Sequence, residues 1–318
     1  MILSAALALA LSAARAAEPA PAVIDKAALA EHIHKAFSTP AAMKLTVGEL
    51  APGPIPGWLN GTVEVADGDR RQNQPVLVSA DGHWYFLGGA VELKDGAIPG
   101  FKALPDDPSL PPLNIFPDGK HAVVGQPKEL GTDPDAANLA KIKLAGVPFT
   151  GPADAPLTIA EYSDLECPHC KRAHDLLETE LKAYPAKVKR VFKHYPLTTV
   201  HPWAFDAAMA ALCAAKAKPA AADGFRARFF AEQEKIAAPQ LRAKAVEFAA
   251  ALGVPAEPFA RCIDAKETKA AVEADMKEGD SLAITGTPAL FVNGRRVRGY
   301  QWAEVKAALD EFAPKKKP

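Results

Sequence analysis

Cysteine, methionine and tryptophan are scarce in this sequence, with four of each in 318 residues. Cys167 and Cys170 form one Cys-x-x-Cys pair, and no second such pair and no His-x-x-x-His follows it. Structural zinc sites usually combine two Cys-x-x-Cys or similar ligand pairs at short spacing, so the sequence argues against zinc. Zinc stays an alternative because several histidines follow in the sequence. Covalent haem attachment is excluded, because Lys171 stands where that attachment needs a histidine.

Net charge is also almost absent. The chain carries 37 Lys and Arg against 38 Asp and Glu, a formal charge of -1 at pH 7. Proteins that hold nucleic acid through its phosphates usually carry a strong positive excess, so we expect no nucleic-acid partner. A length of 318 residues with 49% hydrophobic content provides material for two domains that each bury a core.

The amino-terminal segment is apolar, yet it is short and has no Lys or Arg before Arg15. Residues 1–17 are rich in Ala and Leu and end in a small-x-small pattern suited to signal peptidase. The segment is too short to span a bilayer stably, and its lack of cysteine argues against a lipoprotein anchor. We expect a signal peptide at 1–17 and export to the periplasm or a similar oxidising compartment. An ordinary Ala-rich helix is the alternative.

The close cysteine pair is predicted to lie where a buried strand meets a helix. Residues 157–162 suit a buried strand, and residues 171–183 place apolar side chains on one helical face. A sulfur at a helix amino terminus faces unpaired N–H groups and the positive end of the helix dipole, which favour the thiolate. We therefore predict a redox-active dithiol with Cys167 as the nucleophile. Cys170, one turn deeper, is the predicted resolving thiol.

The residues between and beside the cysteines modify this expectation. Pro168 fits the first helical turn, where its missing N–H is not needed. His169, when protonated, adds a positive charge beside the nucleophilic sulfur. Glu166 has the opposite effect unless solvent screens it, because a neighbouring negative charge opposes thiolate formation.

Three further segments, together with the Cys-Pro-His-Cys tetrad, resemble a known family. They are residues 188–196, 201–204 and 286–294, and they occur in the family's order. The stretch from Pro148 to Phe312 thus resembles the DsbA-like thiol:disulfide oxidoreductases of the thioredoxin-fold superfamily. The resemblance implies an α/β fold (α+β overall), with a thioredoxin domain at 148–313 and a helical insertion at about 203–284. It also implies no metal and no organic cofactor, the working group being a redox-active Cys167–Cys170 disulfide.

The same resemblance assigns roles to four more residues. Glu161 and Lys193 would form a buried acid/base pair beneath the disulfide and accept the proton of Cys170. An ionised side chain inside a strand is costly unless it is paired, which supports this expectation over two side chains that reach solvent at strand ends. Thr287 would contact substrate, and Pro288 would be a cis proline that leaves the backbone before it free to pair with an extended peptide.

The two remaining cysteines, Cys213 and Cys262, lie on apolar faces of predicted helices. We expect a structural disulfide that closes a loop of about 50 residues and stabilises the fold by about 4 kcal/mol in the chain-entropy model. Two unpaired buried cysteines are one alternative. A relay of electrons with Cys167 and Cys170 is another.

The chain before the cysteine domain is predicted to form a separate module. Residues 23–93 contain one amphipathic helix and four strand-like runs, indicating a small α+β domain. This module resembles the amino-terminal dimerisation domain of the DsbC/DsbG-type isomerases, which implies a homodimer. Residues 94–147 are rich in Pro, Gly and Asp and are predicted to be a linker.

These observations lead to an exported protein thiol:disulfide oxidoreductase, with oxidase activity favoured because Pro168 and His169 stabilise the reduced thiolate form. A dimeric disulfide isomerase or reductase is the alternative, supported by the amino-terminal module and by Thr287. A non-enzymatic metal-binding or scaffold protein is the alternative from another class. The expected partners are cysteine-containing exported proteins and a membrane or soluble redox protein.

Overall fold

The computed structural model describes residues 22–93, 113–184 and 187–314. The predicted signal peptide at 1–17 lies outside these residues. The chain divides into two compact units. The amino-terminal unit takes the residues up to Leu29 together with Thr46–Glu64 and Asn73–Gly131, and the carboxy-terminal unit takes Ala30–Leu45, Val65–Gln72 and the residues from Thr132 onward.

Within the described residues before Thr132, the chain forms one helix and nine strands of two to ten residues. In chain order these are α1 (Lys26–Ala36), β1 (Lys44–Val47), β2 (Ala51–Pro52), β3 (Trp58–Asp67), β4 (Arg70–Ser79), β5 (Trp84–Leu87), β6 (Val91–Glu92), β7 (Leu113–Ile115), β8 (His121–Val124) and β9 (Lys128–Glu129). One sheet has the order β1-β3-β4-β5-β9 with β2 paired to β3, and a second, three-stranded sheet has the order β6-β8-β7.

The hairpin between β4 and β5 shows how the local sequence fixes this topology. Gly82 adopts a φ of 75°, a conformation that glycine reaches without strain. The Asp81 carboxylate accepts hydrogen bonds from the Ser79 hydroxyl at 2.5 Å and the His83 N–H at 3.0 Å. The two strands that leave this turn contribute to a buried apolar core, which consists of Ile55, Leu77, Phe86, Phe116 and Val123.

The predicted linker at 94–147 requires a correction. Its described residues contain the three strands β7, β8 and β9, and a helix α2 that spans Pro134–Lys141. Each of these strands has two to four residues, so its alternation is too short to stand out among Pro, Gly and Asp. The helix begins with a side-chain cap from Asp133 and has proline in its first turn, a strong start signal. The other predicted domain boundaries remain predictions.

The second part of the chain contains a five-stranded sheet, with helices between and after its strands. The elements are β10 (Phe149–Thr150), β11 (Leu157–Ser163), α3 (Pro168–Glu180), β12 (Val188–His194), α4 (Ala204–Ala217), α5 (Ala222–Glu232), α6 (Leu241–Ala251), α7 (Ala256–Asp264), α8 (Lys269–Ser281), β13 (Ala289–Val292), β14 (Arg295–Val297) and α9 (Trp302–Phe312). The strand order is β10-β12-β11-β13-β14.

The central strands β11 and β12 are parallel and are connected by α3, while β13 pairs antiparallel with β11 and continues into β14. Parallel neighbours require such a crossover, and both faces of their sheet are covered, which explains the continuous burial of β11 and β12. One face contributes Leu157, Ile159 and Val188 to a core with α3 and α9. The predicted fold class, a thioredoxin fold with inserted helices, is confirmed.

Helices α4 to α8 form the insertion between β12 and β13. Their apolar faces bury Phe225, Phe229, Phe248 and Phe259 in one cluster that also contains Cys167 and Cys170. The sulfurs of Cys213 and Cys262 in this insertion are 2.00 Å apart, a bonded distance across 49 residues of chain. A loop of this length corresponds to about 4 kcal/mol of stabilisation in the chain-entropy model.

Candidate active site

The strand-to-helix turn holds both cysteines of the Cys-x-x-Cys pair. Cys167 caps α3 with an extended backbone (φ -76°, ψ 122°), and Pro168 occupies the first helical position. Cys167 is 4% exposed and Cys170 is 0% exposed, while Pro168 and His169 between them are exposed. Cys167, the predicted nucleophile, is therefore more enclosed than the sequence suggests, because Leu165 and Trp203 pack into the same cluster.

The loop before β13 brings Thr287 and Pro288 to the cysteine pair. The Cys167 thiol donates a hydrogen bond to the Thr287 carbonyl oxygen at 3.6 Å, and the Thr287–Pro288 peptide bond is cis. The Thr287 hydroxyl oxygen is buried and has no hydrogen-bond partner among the described residues. The two residues assigned to substrate contact thus lie beside the predicted nucleophile.

Hydrogen bonds and burial push the two thiols in opposite directions. The hydrogen bond from Cys170 lowers the pKa of Cys167 to about 5, and the backbone N–H groups of Cys170 and His169 add to this effect while burial opposes it. Burial raises the pKa of the Cys170 thiol well above its usual value. A thiolate at Cys167 beside a protonated thiol at Cys170 is the arrangement in which the reduced pair can attack a disulfide.

The lowered pKa of Cys167 predicts its alkylation profile. An ordinary thiol with a pKa of about 8.5 loses most of its reactivity below neutral pH, because the thiolate is the nucleophile. Cys167 is instead expected to react with iodoacetamide at a constant rate from pH 8 to about pH 6 and at half that rate at about pH 5. Peptide mapping after timed alkylation of the reduced protein measures this profile.

A variant of Cys170 tests whether its hydrogen bond causes the lowered pKa of Cys167. Cys170→Ala removes the hydrogen-bond donor that contributes most to the shift, so the midpoint of the profile should move toward that of an ordinary thiol. A wild-type midpoint above pH 8, or a midpoint that Cys170→Ala leaves in place, would contradict the origin assigned to the shift.

His169 differs from its predicted role as a cation. Its Nδ1 accepts a hydrogen bond from the Arg172 guanidinium at 2.9 Å and lies 3.4 Å from the Tyr300 hydroxyl. Arginine can only donate, so in this arrangement the imidazole is neutral, with its proton assigned to Nε2. The positive charge here belongs to Arg172, one turn further along α3, which sequence reasoning missed and which helical i, i+3 spacing would have indicated.

The predicted pairing of Glu161 with Lys193 is wrong. Both side chains are buried, but β11 and β12 pair Glu161 with Phe192 and Tyr162 with Lys193. Paired residues in neighbouring strands point to the same face and successive residues alternate, so Glu161 and Lys193 lie on opposite faces of the sheet. A shift of one residue in register reverses every facing side chain, and the sequence alone did not determine that register.

The partner of Glu161 is Arg190. Its Nε and Nη2 lie 2.9 and 2.8 Å from Glu161 Oε2, and both side chains are almost fully buried. Arg190 also donates to Glu178 at 2.6 Å and to His174 Nδ1 at 3.2 Å. Glu161 Oε1 has no hydrogen-bond partner among the residues that the structure describes. The buried charge pair on the α3 side of the sheet is therefore Glu161 with Arg190.

Lys193 pairs with acidic residues of the insertion instead. Its Nζ lies 2.6 Å from Asp275 and 3.1 Å from Glu278, and the Tyr162 hydroxyl donates to Glu278 at 2.5 Å. Burial raises the pKa of Asp275, against the opposing effect of Lys193. These contacts fasten α8 to the sheet face that turns away from α3.

The Glu166 carboxylate is partly withdrawn from solvent. It accepts a hydrogen bond from the Trp203 N–H at 2.7 Å, and burial raises its pKa. Burial thus disfavours the charged form of Glu166, which would repel a Cys167 thiolate, although the Trp203 hydrogen bond opposes this effect. Among the residues 22–93, 113–184 and 187–314, no group of three or more His, Cys, Asp or Glu side chains is arranged to hold a metal ion.

A family model and several known proteins each match about half of this chain. A family model described as Thioredoxin matches residues 144–311. Among curated proteins, the Na(+)/H(+) antiporter NhaA 3 of Salinispora tropica is 34% identical over 163 residues, covering 50% of this chain and 24% of that protein. The Na(+)/H(+) antiporter NhaA 1 of Mycolicibacterium gilvum is 32% identical over 158 residues, covering 47% and 24%. The chain thus spans about a quarter of the length of these relatives.

Solved structures match a similar share of the chain. Oxidised BdbD from Bacillus subtilis has 21% identity and a TM-score of 0.49, covering 54% of this chain and 94% of that one. Wolbachia pipientis alpha-DsbA1 has 22% identity and a TM-score of 0.46, covering 55% and 94%.

No helix in the described part of the chain is both long enough and apolar enough to cross a membrane. With a family model that covers more than half of its residues, the chain belongs to the thioredoxin family.

Proposed function

We propose that this protein is an exported thiol:disulfide oxidoreductase that introduces disulfides into cysteine-containing proteins. The observation that carries the proposal is the contrast between the two thiols of one turn: the pKa of Cys167 is lowered to about 5, whereas burial raises that of Cys170. A stabilised Cys167 thiolate makes the reduced form favourable and the Cys167–Cys170 disulfide a stronger oxidant. The working group is this disulfide, with no metal or organic cofactor.

The proposed reaction has two balanced steps. A substrate thiolate attacks Cys167 Sγ, a substrate–Cys167 disulfide forms, and the electron pair of the broken bond goes to Cys170 Sγ. A second substrate thiolate then attacks the substrate sulfur of that mixed disulfide, the substrate disulfide forms, and Cys167 leaves as a thiolate. A membrane or soluble redox protein must afterwards reoxidise the dithiol. Thr287 and Pro288, beside Cys167, are the residues proposed to contact the substrate chain.

Disulfide isomerisation is the second candidate. Two observations favour it: the separate amino-terminal unit and the threonine at position 287. We propose that two copies of the protein form a homodimer through this unit. Isomerisation uses the reduced dithiol, since Cys167 must attack a wrong substrate disulfide. Antiport activity is not proposed for this protein, because the match to the NhaA antiporters covers about a quarter of their length and half of this chain.

The reduction potential of the Cys167/Cys170 couple separates these functions. Thioredoxin, a reductant, has a potential of about -270 mV, whereas strongly oxidising members lie near about -120 mV. We expect a value well above the thioredoxin value, measured by equilibration with glutathione and mass spectrometry of the active-site peptide. The Cys213–Cys262 peptide in the same digest serves as an internal control, and it should stay oxidised throughout. A potential near that of thioredoxin would overturn the oxidase proposal.

A refolding assay completes the test. An oxidase should oxidise a reduced, unfolded ribonuclease but should not rescue a scrambled one in the absence of added oxidant. Rescue of the scrambled enzyme would establish isomerisation instead. One tightly bound zinc per chain, together with resistance of Cys167 and Cys170 to alkylation, would instead favour a non-enzymatic metal-binding protein.

A further inference from the structure

Asp164 is a buried carboxylate that the proposed reaction does not use. Its side chain is 0% exposed. Its Oδ1 accepts a hydrogen bond from the Glu166 N–H at 2.7 Å. Its Oδ2 accepts hydrogen bonds from the Leu197 N–H and from His201 Nδ1, each at 2.7 Å. Because a carboxylate only accepts, His201 must carry its proton on Nδ1. Asp164 therefore ties the turn that precedes Cys167 to the loop that follows β12.

The backbone of the same residue contacts both cysteines. The Asp164 N–H donates to Cys170 Sγ at 3.4 Å, and the Asp164 carbonyl oxygen accepts the Cys167 N–H at 3.2 Å. The loop after β12 is held at a second point, where the Trp203 N–H donates to Glu166. The position of the Asp164 N–H is thus fixed by side-chain contacts that reach across 37 residues of chain.

This N–H faces the atom on which negative charge develops. When a substrate thiolate attacks Cys167, the Cys167–Cys170 bond breaks and the electron pair goes to Cys170 Sγ, which is fully buried. In the reverse direction Cys170 must develop the same charge in order to attack Cys167. A donor already in place stabilises that charge without reorganisation, in the manner of an oxyanion hole.

We propose that Asp164 and His201 are positioning residues, whose contact holds the Asp164 N–H against Cys170 Sγ and thereby sets the rate at which Cys170 leaves or attacks. This inference rests on the proposed function, and it predicts an effect on the Cys170 step and not on the Cys167 step. A merely structural role would weaken both steps together.

A probe with two signals separates the steps. In a fluorescent peptide disulfide of thionitrobenzoate, the aromatic thiolate has the lower pKa and leaves first. The Cys167 thiolate attacks the peptide sulfur, forms the Cys167–peptide disulfide and releases coloured thionitrobenzoate. Cys170 then attacks Cys167 Sγ, forms the Cys167–Cys170 disulfide and releases the peptide with its sulfur as a thiol, the Cys170 proton completing that thiol.

His201→Ala should slow peptide release about tenfold, equivalent to about 1.4 kcal/mol, while it changes thionitrobenzoate release less than about twofold. His201→Asn places an amide donor where Nδ1 lies and should restore most of the rate. His121→Ala is the matched control, because His121 Nδ1 contacts Asp118 at 2.6 Å in the amino-terminal unit and should change neither phase. Should His201→Ala fail to fold, Asp164→Asn carries the same test.

The outcomes are distinct. Equal slowing of both phases, or peptide release at the wild-type rate in His201→Ala or in Asp164→Asn, would overturn the positioning role and leave the proposed function intact. A wild-type protein that releases no thionitrobenzoate would overturn the proposed function itself. Slow peptide release with a normal first phase, restored by His201→Asn, supports the inference.

Discussion

Cys167→Ser is expected to lower the rate of disulfide exchange by at least about 10³-fold. A serine hydroxyl at position 167 cannot ionise near neutral pH, whereas the helix start, the Cys170 thiol and the surrounding N–H groups hold the cysteine as a thiolate. The loss should appear in the oxidation of a fluorescent dithiol peptide, measured by stopped flow. The variant should keep its fold, because serine is nearly the same size at a site that is 4% exposed.

Cys170→Ser gives a different result from the same kind of change. Cys167 can still form a mixed disulfide, but the resolving thiol is missing, so the covalent complex should accumulate and be visible on a non-reducing gel. The double variant Cys213→Ser/Cys262→Ser is the matched control for losing a cysteine pair: it should exchange disulfides but unfold more easily. Retained exchange in Cys167→Ser would exclude Cys167 as the nucleophile.

The fold was largely predictable because its signals are local. The alternation of apolar residues, the Asp81-Gly82 turn and the Pro168 helix start each act within a few residues and give the strands and helices near their observed places. The strands within the predicted linker at 94–147 were missed because they give no such local signal. Strands of two to four residues such as β7 and β9 have too few positions to show a period, and only their pairing with other strands, β8 for β7 and β5 for β9, defines them.

The cysteine turn was predictable, whereas its supporting contacts were not. The register of the parallel strands β11 and β12 decides which basic residue neutralises Glu161. In the observed register Arg190 lies on the same face of the sheet as Glu161, and Lys193 lies on the opposite face; a shift of one residue would reverse this. The contact of Asp164 with His201 spans 37 residues and depends on the path of a loop, for which no periodic pattern exists. Sequence periodicity locates elements, but the partners of buried charges are set by tertiary packing.

Arg190→Met is expected to lower the free energy of unfolding by about 3–5 kcal/mol. Glu161 is 0% exposed, and Arg190 supplies the hydrogen bonds that its Oε2 receives. Methionine fills much of the space of the arginine stem, so the main cost is a buried carboxylate without a partner and not a cavity. Urea unfolding of the disulfide-intact protein, followed by tryptophan fluorescence, measures the change, with Trp203 and Trp302 reporting on the carboxy-terminal unit and Trp58 and Trp84 on the amino-terminal unit.

Two variants make this assignment specific. Lys189→Met removes a cation from the adjacent position of the same strand, where the ammonium lies 4.2 Å from the Phe149 ring centroid at a partly exposed site, and it should cost less than about 1 kcal/mol. Glu161→Leu combined with Arg190→Met removes both charges and should recover most of the lost stability, because the penalty arises from leaving one charge alone. If Arg190→Met were as stable as Lys189→Met, Glu161 would have to be satisfied by a group other than Arg190.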